Sequence, residues 1–229
     1  MTRYELLVFD WDGTLVDSIG SIVGCTQEAL AAARVAVAPA AAIRRTIGLG
    51  IREMIDELVP GCDQELFERI CKAYRERWFS RFGGRHAPFP GVAALLAGLA
   101  AEGYLLAVAT AKGRRGLELE LESTGLGASI HASRTVDEAP AKPHPGMLEG
   151  LMAELGTSPP RTLMIGDTAH DLMMAANAGT GALGVLSGSH TRAELERVPH
   201  LAILDGVRGL SAWLASSPPR AEKRRPPAG

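Results

Sequence analysis

Two aspartates flank a tryptophan in FDWDGT: Asp10 and Asp12 follow directly on the apolar run Glu5–Phe9. Carboxylates this close can divide nucleophilic attack, proton transfer and cation binding between them. Gly13 lets the chain turn tightly behind them. A second pair stands in IGDTAHD. Asp167 follows the run Thr162–Ile165 after only Gly166, and Asp171 lies four residues on, in the first turn of an expected helix. Each pair has a plain alternative, since aspartate favours turns and an acid at a helix N-terminus is stabilised by the dipole. Neither alternative accounts for two pairs at the ends of two separate apolar runs. Four carboxylates brought together without a cation would repel one another and be costly to bury. A hard divalent cation with oxygen ligands relieves that repulsion, and Mg²⁺ suits an incomplete protein cage completed by water and phosphate oxygens.

Thr110 and Lys142 extend the set. Thr110 ends the run Tyr104–Thr110 and leads through AKGRRG into a helix, so a hydroxyl and free backbone N–H groups there can receive phosphoryl oxygens. Lys142, in AKPHPG, precedes a helix beginning near Pro145 and offers an ammonium against carboxylate and phosphate charge. Lysine and arginine total 24, yet only four are lysines (Lys72, Lys112, Lys142 and Lys223), so a lysine at such a place stands out. Asp10, Asp12, Asp167 and Asp171 against Lys142 alone leave a formal −3, which calls for a cation.

The elements that must position these residues read as an alternation. Short apolar runs at Glu5–Phe9, Tyr104–Thr110, Thr162–Ile165 and Ala182–Leu186 predict buried strands, with weaker candidates at Ser129–Ala132 and Leu201–Leu204. Between them, Pro90–Glu102, Pro145–Leu155 and His170–Ala178 read as helices closed by Gly103, Gly156 and Gly179, and Thr191 with Glu194 fits a capping box. Alternating strands and helices imply a parallel sheet covered on both faces, with ligands bound beyond the C-terminal strand ends. The interval Asp17–Phe89 departs from this pattern: Ser18–Arg34, Ala40–Ile47, Arg52–Val59 and Gln64–Phe82 all look helical. This α/β reading therefore has a core over 1–16 and 88–215, a helical insert over 17–87 and a Pro-rich, charged, disordered tail over 216–229.

Composition narrows the function classes. The chain has 229 residues and a net charge of −2, with 46% hydrophobic and 22% charged residues, which is an ordinary globular mix. The balanced charge argues against a nucleic-acid partner, and 5% aromatics leave little for base stacking. No run reaches the ~18 apolar residues of a membrane span. Three widely spaced cysteines and no leader-like N-terminus predict a reduced, cytoplasmic protein.

The four segments carrying Asp10/Asp12, Thr110, Lys142 and Asp167/Asp171 resemble, in order, the four motifs of the haloacid dehalogenase-like hydrolases. The resemblance runs from about residue 4 to residue 214 and is nearest to the phosphoglycolate phosphatase-like and β-phosphoglucomutase-like branches. It implies a Rossmann-like core with a helical cap. It implies Asp10 as the nucleophile, Asp12 as the acid and base, and Mg²⁺ held by Asp10, Asp167 and the Asp12 backbone carbonyl with support from Asp171. It further implies that Thr110, Lys142 and the N–H groups of Trp11 and Ala111 bind the phosphoryl group of a small phosphorylated metabolite. Ala111 stands where the family often has Asn or Asp, and Trp11 where Leu is commoner. An acid at position 12 favours phosphate esters over halides. Hydrolysis is expected ahead of sugar phosphomutase chemistry or a non-catalytic role, with monomer and homodimer both open. In the insert, Gly48, Gly50 and Arg52 of TIGLGIR admit two readings: contact with substrate, since glycine permits close approach and arginine meets anions, or a plain helix–helix turn with a solvated arginine.

Overall fold

The computed structural model describes residues 4–83 and 86–216. Six strands form one parallel sheet: β1 (Leu6–Phe9), β2 (Leu105–Ala109), β3 (Ala132–Arg134), β4 (Thr162–Gly166), β5 (Gly181–Val185) and β6 (Ala202–Leu204). Their spatial order is β3-β2-β1-β4-β5-β6, so the first strand lies in the middle and the chain winds outward from it in both directions.

Strand residues alternate between two cores, as a sheet buried on both faces requires. Leu7 and Phe9 face one core with Val92, Leu96 and Leu117, while Leu6 and Val8 face the other with Met147, Leu151 and Met174. The expected weak strand at Ser129–Ala132 is displaced. Residues Leu126–Ser129 form a 3₁₀ turn after Gly125 takes a left-handed conformation, and pairing with β2 begins only at Ala132.

Between β1 and β2 lie α1 (Ile19–Ala32), α2 (Ala40–Thr46), α3 (Ile51–Leu58) and α4 (Gln64–Arg77), followed by α5 (Val92–Ala101) beside the sheet. The helix expected to run on to Phe82 changes at Trp78 into a wider π turn over Trp78–Phe82. The first four helices bury their own apolar clusters, one around Ile22, Ile43 and Trp78 and another around Leu30, Ile55 and Ile70. Where the insert leaves and rejoins the core, Asp17 N–H donates to the Ala87 carbonyl at 3.2 Å and Phe89 N–H to the Leu15 carbonyl at 3.0 Å. The remaining helices are α6 (Arg114–Thr124), α7 (Gly146–Leu155), α8 (Ala169–Asn177), α9 (Arg192–Leu195) and α10 (Leu210–Ser216). The expectation of a disordered tail falls, from residue 217 on, outside the described residues. Among the described residues no helix is long and apolar enough to cross a membrane.

Candidate active site

Strand register brings the motif residues together. Phe9 is level with Val108 of β2 and Ile165 of β4, so Asp10 leaves β1 between Thr110 on one side and Asp167 on the other. Asp10 N–H donates to the Ile165 carbonyl at 2.9 Å and Thr110 N–H to the Arg134 carbonyl at 3.0 Å, which extends the sheet's order to these positions. One oxygen each from Asp10, Asp167 and Asp171 lies within 4.8 Å of the others, and all three residues are buried.

Every member of this acidic floor is held. Lys142 reaches Asp10 Oδ1 at 2.8 Å and Asp171 Oδ1 at 2.6 Å. Trp11 N–H donates to Asp10 Oδ1 at 2.7 Å. Asp171 accepts from Thr168 Oγ1 at 2.7 Å within the capping box that starts α8, so the helix cap and the site share one residue. Asp167 accepts from Thr14 Oγ1 and from Ser189 N–H, each at 2.8 Å. Glycine is needed beside it: a Cβ on Gly188 would collide with the Asp167 carboxylate, and Gly13, at φ +80°, would come within 2.6 Å of it.

Burial, more than the neighbouring carboxylates, pushes the Asp10 carboxyl well above its usual range; Lys142 pulls it back only in part. Burial and then Asp171 raise Asp167 to about 7, against the donors Ser189 and Thr14. Burial alone would lower Lys142, but Asp10 and Asp171 outweigh it and hold the ammonium charged. Carboxylates forced together at such a cost, and offering only oxygen, fit a hard divalent cation.

Asp12 belongs to a different network. It sits in the same turn as Asp10, yet its Oδ1 accepts from Ser18 Oγ at 2.6 Å and lies 3.1 Å from Lys112 Nζ. Lys112 also pairs with Glu120 Oε1 at 3.2 Å and rests over the Trp78 ring at 4.5 Å. Glu120 is fully buried in α6 and accepts from the Trp11 indole at 2.5 Å, with His86 Nδ1 3.2 Å away. Burial pulls Glu120 upward, but His86, Lys112 and Trp11 outweigh it and hold the carboxyl down at about 2.

Lys112, Glu120, His86 and Trp78 were not singled out by sequence. Their signal was faint: Lys112 is one of four lysines and stands two residues after Thr110. The reading of Lys142 as the site's sole lysine is thereby corrected. Lys112 adds one positive charge and Glu120 one negative, so the formal −3 survives. Trp11, expected to matter through its backbone, also carries Glu120 on its indole.

Asp10, Asp12, Trp78, Thr110, Ala111 and Lys112 open onto one cleft of about 480 Å³ between the sheet's C-terminal edge and α1–α4. Gly48 lines it at φ +95°, where a Cβ would come within 2.9 Å of Thr168 Oγ1; its conformation and that close approach both require glycine. Gly50 opens α3 and a Cβ there would meet Glu53 and Ala141. Gly50 does not line the cleft, and neither does Arg52. Its guanidinium pairs with Asp56 at 3.1 Å, bonds Gln64 at 3.3 Å and lies 4.3 Å over the Phe67 ring. The arginines at the cleft are Arg75 and Arg115.

The sequence profile of the haloacid dehalogenase-like hydrolases matches residues 7–185. The chain belongs to this family. It is 36% identical over 206 residues to a protein of Dickeya dadantii described as "probable phosphatase IndB", covering 87% of this chain and 89% of that one. It is 30% identical over 215 residues to a phosphoglycolate phosphatase of Mesorhizobium japonicum, covering 92% and 94%. The solved structure of a hydrolase from Pseudomonas syringae superposes with a TM-score of 0.81 at 27% identity, covering 94% of this chain and 98% of that one. Within the family, the likeness falls on the phosphoglycolate phosphatase-like branch.

Proposed function

We propose that this family member is a Mg²⁺-dependent phosphatase that hydrolyses a small phosphate monoester through a phosphoaspartate on Asp10. The observation that carries the reading is the partition of two adjacent aspartates. Asp10 is locked among Lys142, Asp167 and Asp171, whereas Asp12 belongs to a separate network of Ser18, Lys112 and Glu120. Neighbouring carboxylates in unlike surroundings suit unlike tasks.

Asp10, Asp167 and Asp171 would hold Mg²⁺, with the Asp12 carbonyl, and the ion would supply charge neutralisation at the phosphoryl oxygens. Asp10, fixed by Trp11 N–H and Lys142, attacks phosphorus as the bond to the leaving oxygen breaks. Asp12 gives that oxygen its proton. In the second half-reaction the Asp12 carboxylate takes a proton from water, which attacks the phosphoaspartate and releases inorganic phosphate and free Asp10. Lys142 and the Thr110 hydroxyl neutralise and orient the transferring group. Residues 17–87 act as the cap over a core of 1–16 and 88–215. The free cysteines Cys25, Cys62 and Cys71 support a reducing, cytoplasmic setting.

A mutase would have to hold a second phosphate against the cap. The cap side of the cleft presents Ile47, Leu49 and Met54, and its one lining cation among the described residues, Arg75, is exposed; this supports water as the acceptor. The test is phosphate release from a panel of monoesters, including 2-phosphoglycolate, with Mg²⁺, after chelation, and with Asp10→Asn. Release should require the metal and vanish in the variant. Release that persists in Asp10→Asn removes the nucleophile assignment.

A further inference from the structure

The cleft is larger and more apolar than a two-carbon acid phosphate needs. Its 480 Å³ lies within the ~300–1,000 Å³ of sites that enclose whole drug-sized ligands. Away from Asp10 and Asp12 its wall is built by Ile47, Leu49, Met54, Tyr74, Trp78 and Phe79. Two of these contribute nothing to the packed interior. Leu49 is half-buried and Phe79 is 44% exposed, and neither belongs to the hydrophobic clusters of the insert. An exposed aromatic beside a candidate catalytic centre is apolar surface left unused by folding.

The cations tell the same story. A carboxylate two carbons from phosphorus must find its counter-charge close to the phosphate. Lys142 is already shared between Asp10 and Asp171, and Lys112 between Asp12 and Glu120. Arg75 and Arg115 line the cleft but are exposed, and Arg115 lies 4.8 Å over the Phe79 ring. Asp137 accepts from Arg114 N–H at 2.7 Å at the start of α6 and brings negative charge to the wall. Among the described residues the buried-side cations of the cleft, Lys112 and Lys142, are both paired with carboxylates, and the two lining arginines stand in solvent, while apolar surface lines the wall.

We infer that the substrate's leaving group is an uncharged alcohol with a bulky apolar body, branched or ring-bearing, seated against Leu49, Met54 and Phe79. The inference rests on the phosphatase reading and names the substrate class of that same site. The alcohol leaves with a proton from Asp12, so nothing beyond water is consumed.

The test is a series of primary-alkyl monophosphates, whose alcohols leave with similar ease: ethyl, cyclohexylmethyl and 2-phenylethyl phosphate, with 2-phosphoglycolate alongside. The two bulky esters should exceed ethyl phosphate and 2-phosphoglycolate in kcat/KM by at least tenfold, since each buried methylene or ring face adds binding. Leu49→Ala and Phe79→Ala should each cut the ratio of 2-phenylethyl to ethyl phosphate by about threefold or more. A variant that is merely destabilised lowers both esters together and leaves the ratio alone, which would overturn the inference. So would 2-phosphoglycolate matching or exceeding the bulky esters. If no ester in the series releases phosphate, the phosphatase reading itself fails, and the inference with it.

Discussion

The floor of the cleft and its roof are built on opposite terms. At and beneath the floor, Asp10 and Asp167 sit just beyond strand ends and Asp171 in the first turn of α8; of the three Asp10 lines the cleft itself, and each is fixed by two or more donors. On the roof, Ile47 and Leu49 come from the loop between α2 and α3 and Met54 from α3, and Phe79 lies on a π turn; Leu49 and Phe79 take no part in the packed clusters. The floor is expensive: buried acids are crowded together and stabilised by partners of fixed geometry. The roof costs the fold little, because Ile47 and Met54 pack into the insert's own clusters while Leu49 and Phe79 are only partly withdrawn from water. Under the proposed function, chemistry would be confined to the part of the molecule that cannot vary without loss, and selectivity left to the part that can.

The sharpest way to break this contrast is to remove charge from the floor. Asp167→Asn should lower kcat by about 10³-fold or more, in line with losing one member of a unit that acts together. Its apparent Mg²⁺ affinity should fall in the same protein, read by titrating the ion against phosphate release. An Asp167→Asn enzyme that keeps most of its rate would place the cation elsewhere.

Lys112 tests the seam between floor and roof. It joins Asp12 to Glu120 on the core side and touches Trp78 on the other. Lys112→Met should lower kcat by about 30-fold with a smaller change in KM, within the range that acid–base positioning supplies. Lys112→Arg should recover part of that loss. An unchanged kcat in Lys112→Met would make the lysine a purely structural strut.

Glu120 sharpens the same seam through stability. Its carboxyl is held at about 2 in the folded protein, below the ordinary 4.5 it regains on unfolding. A depressed carboxyl stabilises fully above the unfolded value, and that stability is lost as pH falls from about 4.5 toward 2. The expected contribution is on the order of 3 kcal/mol, because each tenfold change in proton affinity is worth about 1.4 kcal/mol. Melting curves of the chain and of Glu120→Gln should differ most above pH 5 and converge toward pH 2. Parallel curves across that range would show that Lys112 and His86 do not hold Glu120 as the geometry indicates.

The floor was legible in the sequence and the roof was not, for a physical reason. A parallel sheet delivers its strand ends to one edge, so Asp10, Thr110 and Asp167 could be placed together from three apolar runs and their spacing. Strand positions came through for the same reason, except at β3, where a 3₁₀ turn took up residues that read as strand. Glu120 offers no such cue. It lies 109 residues from its Trp11 partner and 34 from His86, and it looks like any charged residue of a surface helix until the fold packs α6 inward. Arg52 failed in the opposite sense. Its neighbours in sequence are a glycine loop, but a helix turns its side chain toward residues four positions on, and Asp56 is there to receive it.

That geometry yields the smallest expected effect, and it separates proximity in sequence from proximity at the site. Arg52→Ala removes an exposed i, i+4 pair and the cover over Phe67, a loss of about 0.5 kcal/mol or less in stability for a pair so open to solvent. KM for every cleaved ester should stay within about twofold, because no part of Arg52 lines the cleft. Gly48, four residues earlier, should behave differently. Gly48→Ala forces a Cβ toward Thr168 at a left-handed φ, for a cost of roughly 1–2 kcal/mol, so it should lower the melting temperature while Arg52→Ala barely moves it. A KM that rises tenfold in Arg52→Ala would mean that the roof folds down further over the substrate than this arrangement shows, bringing α3 into the site.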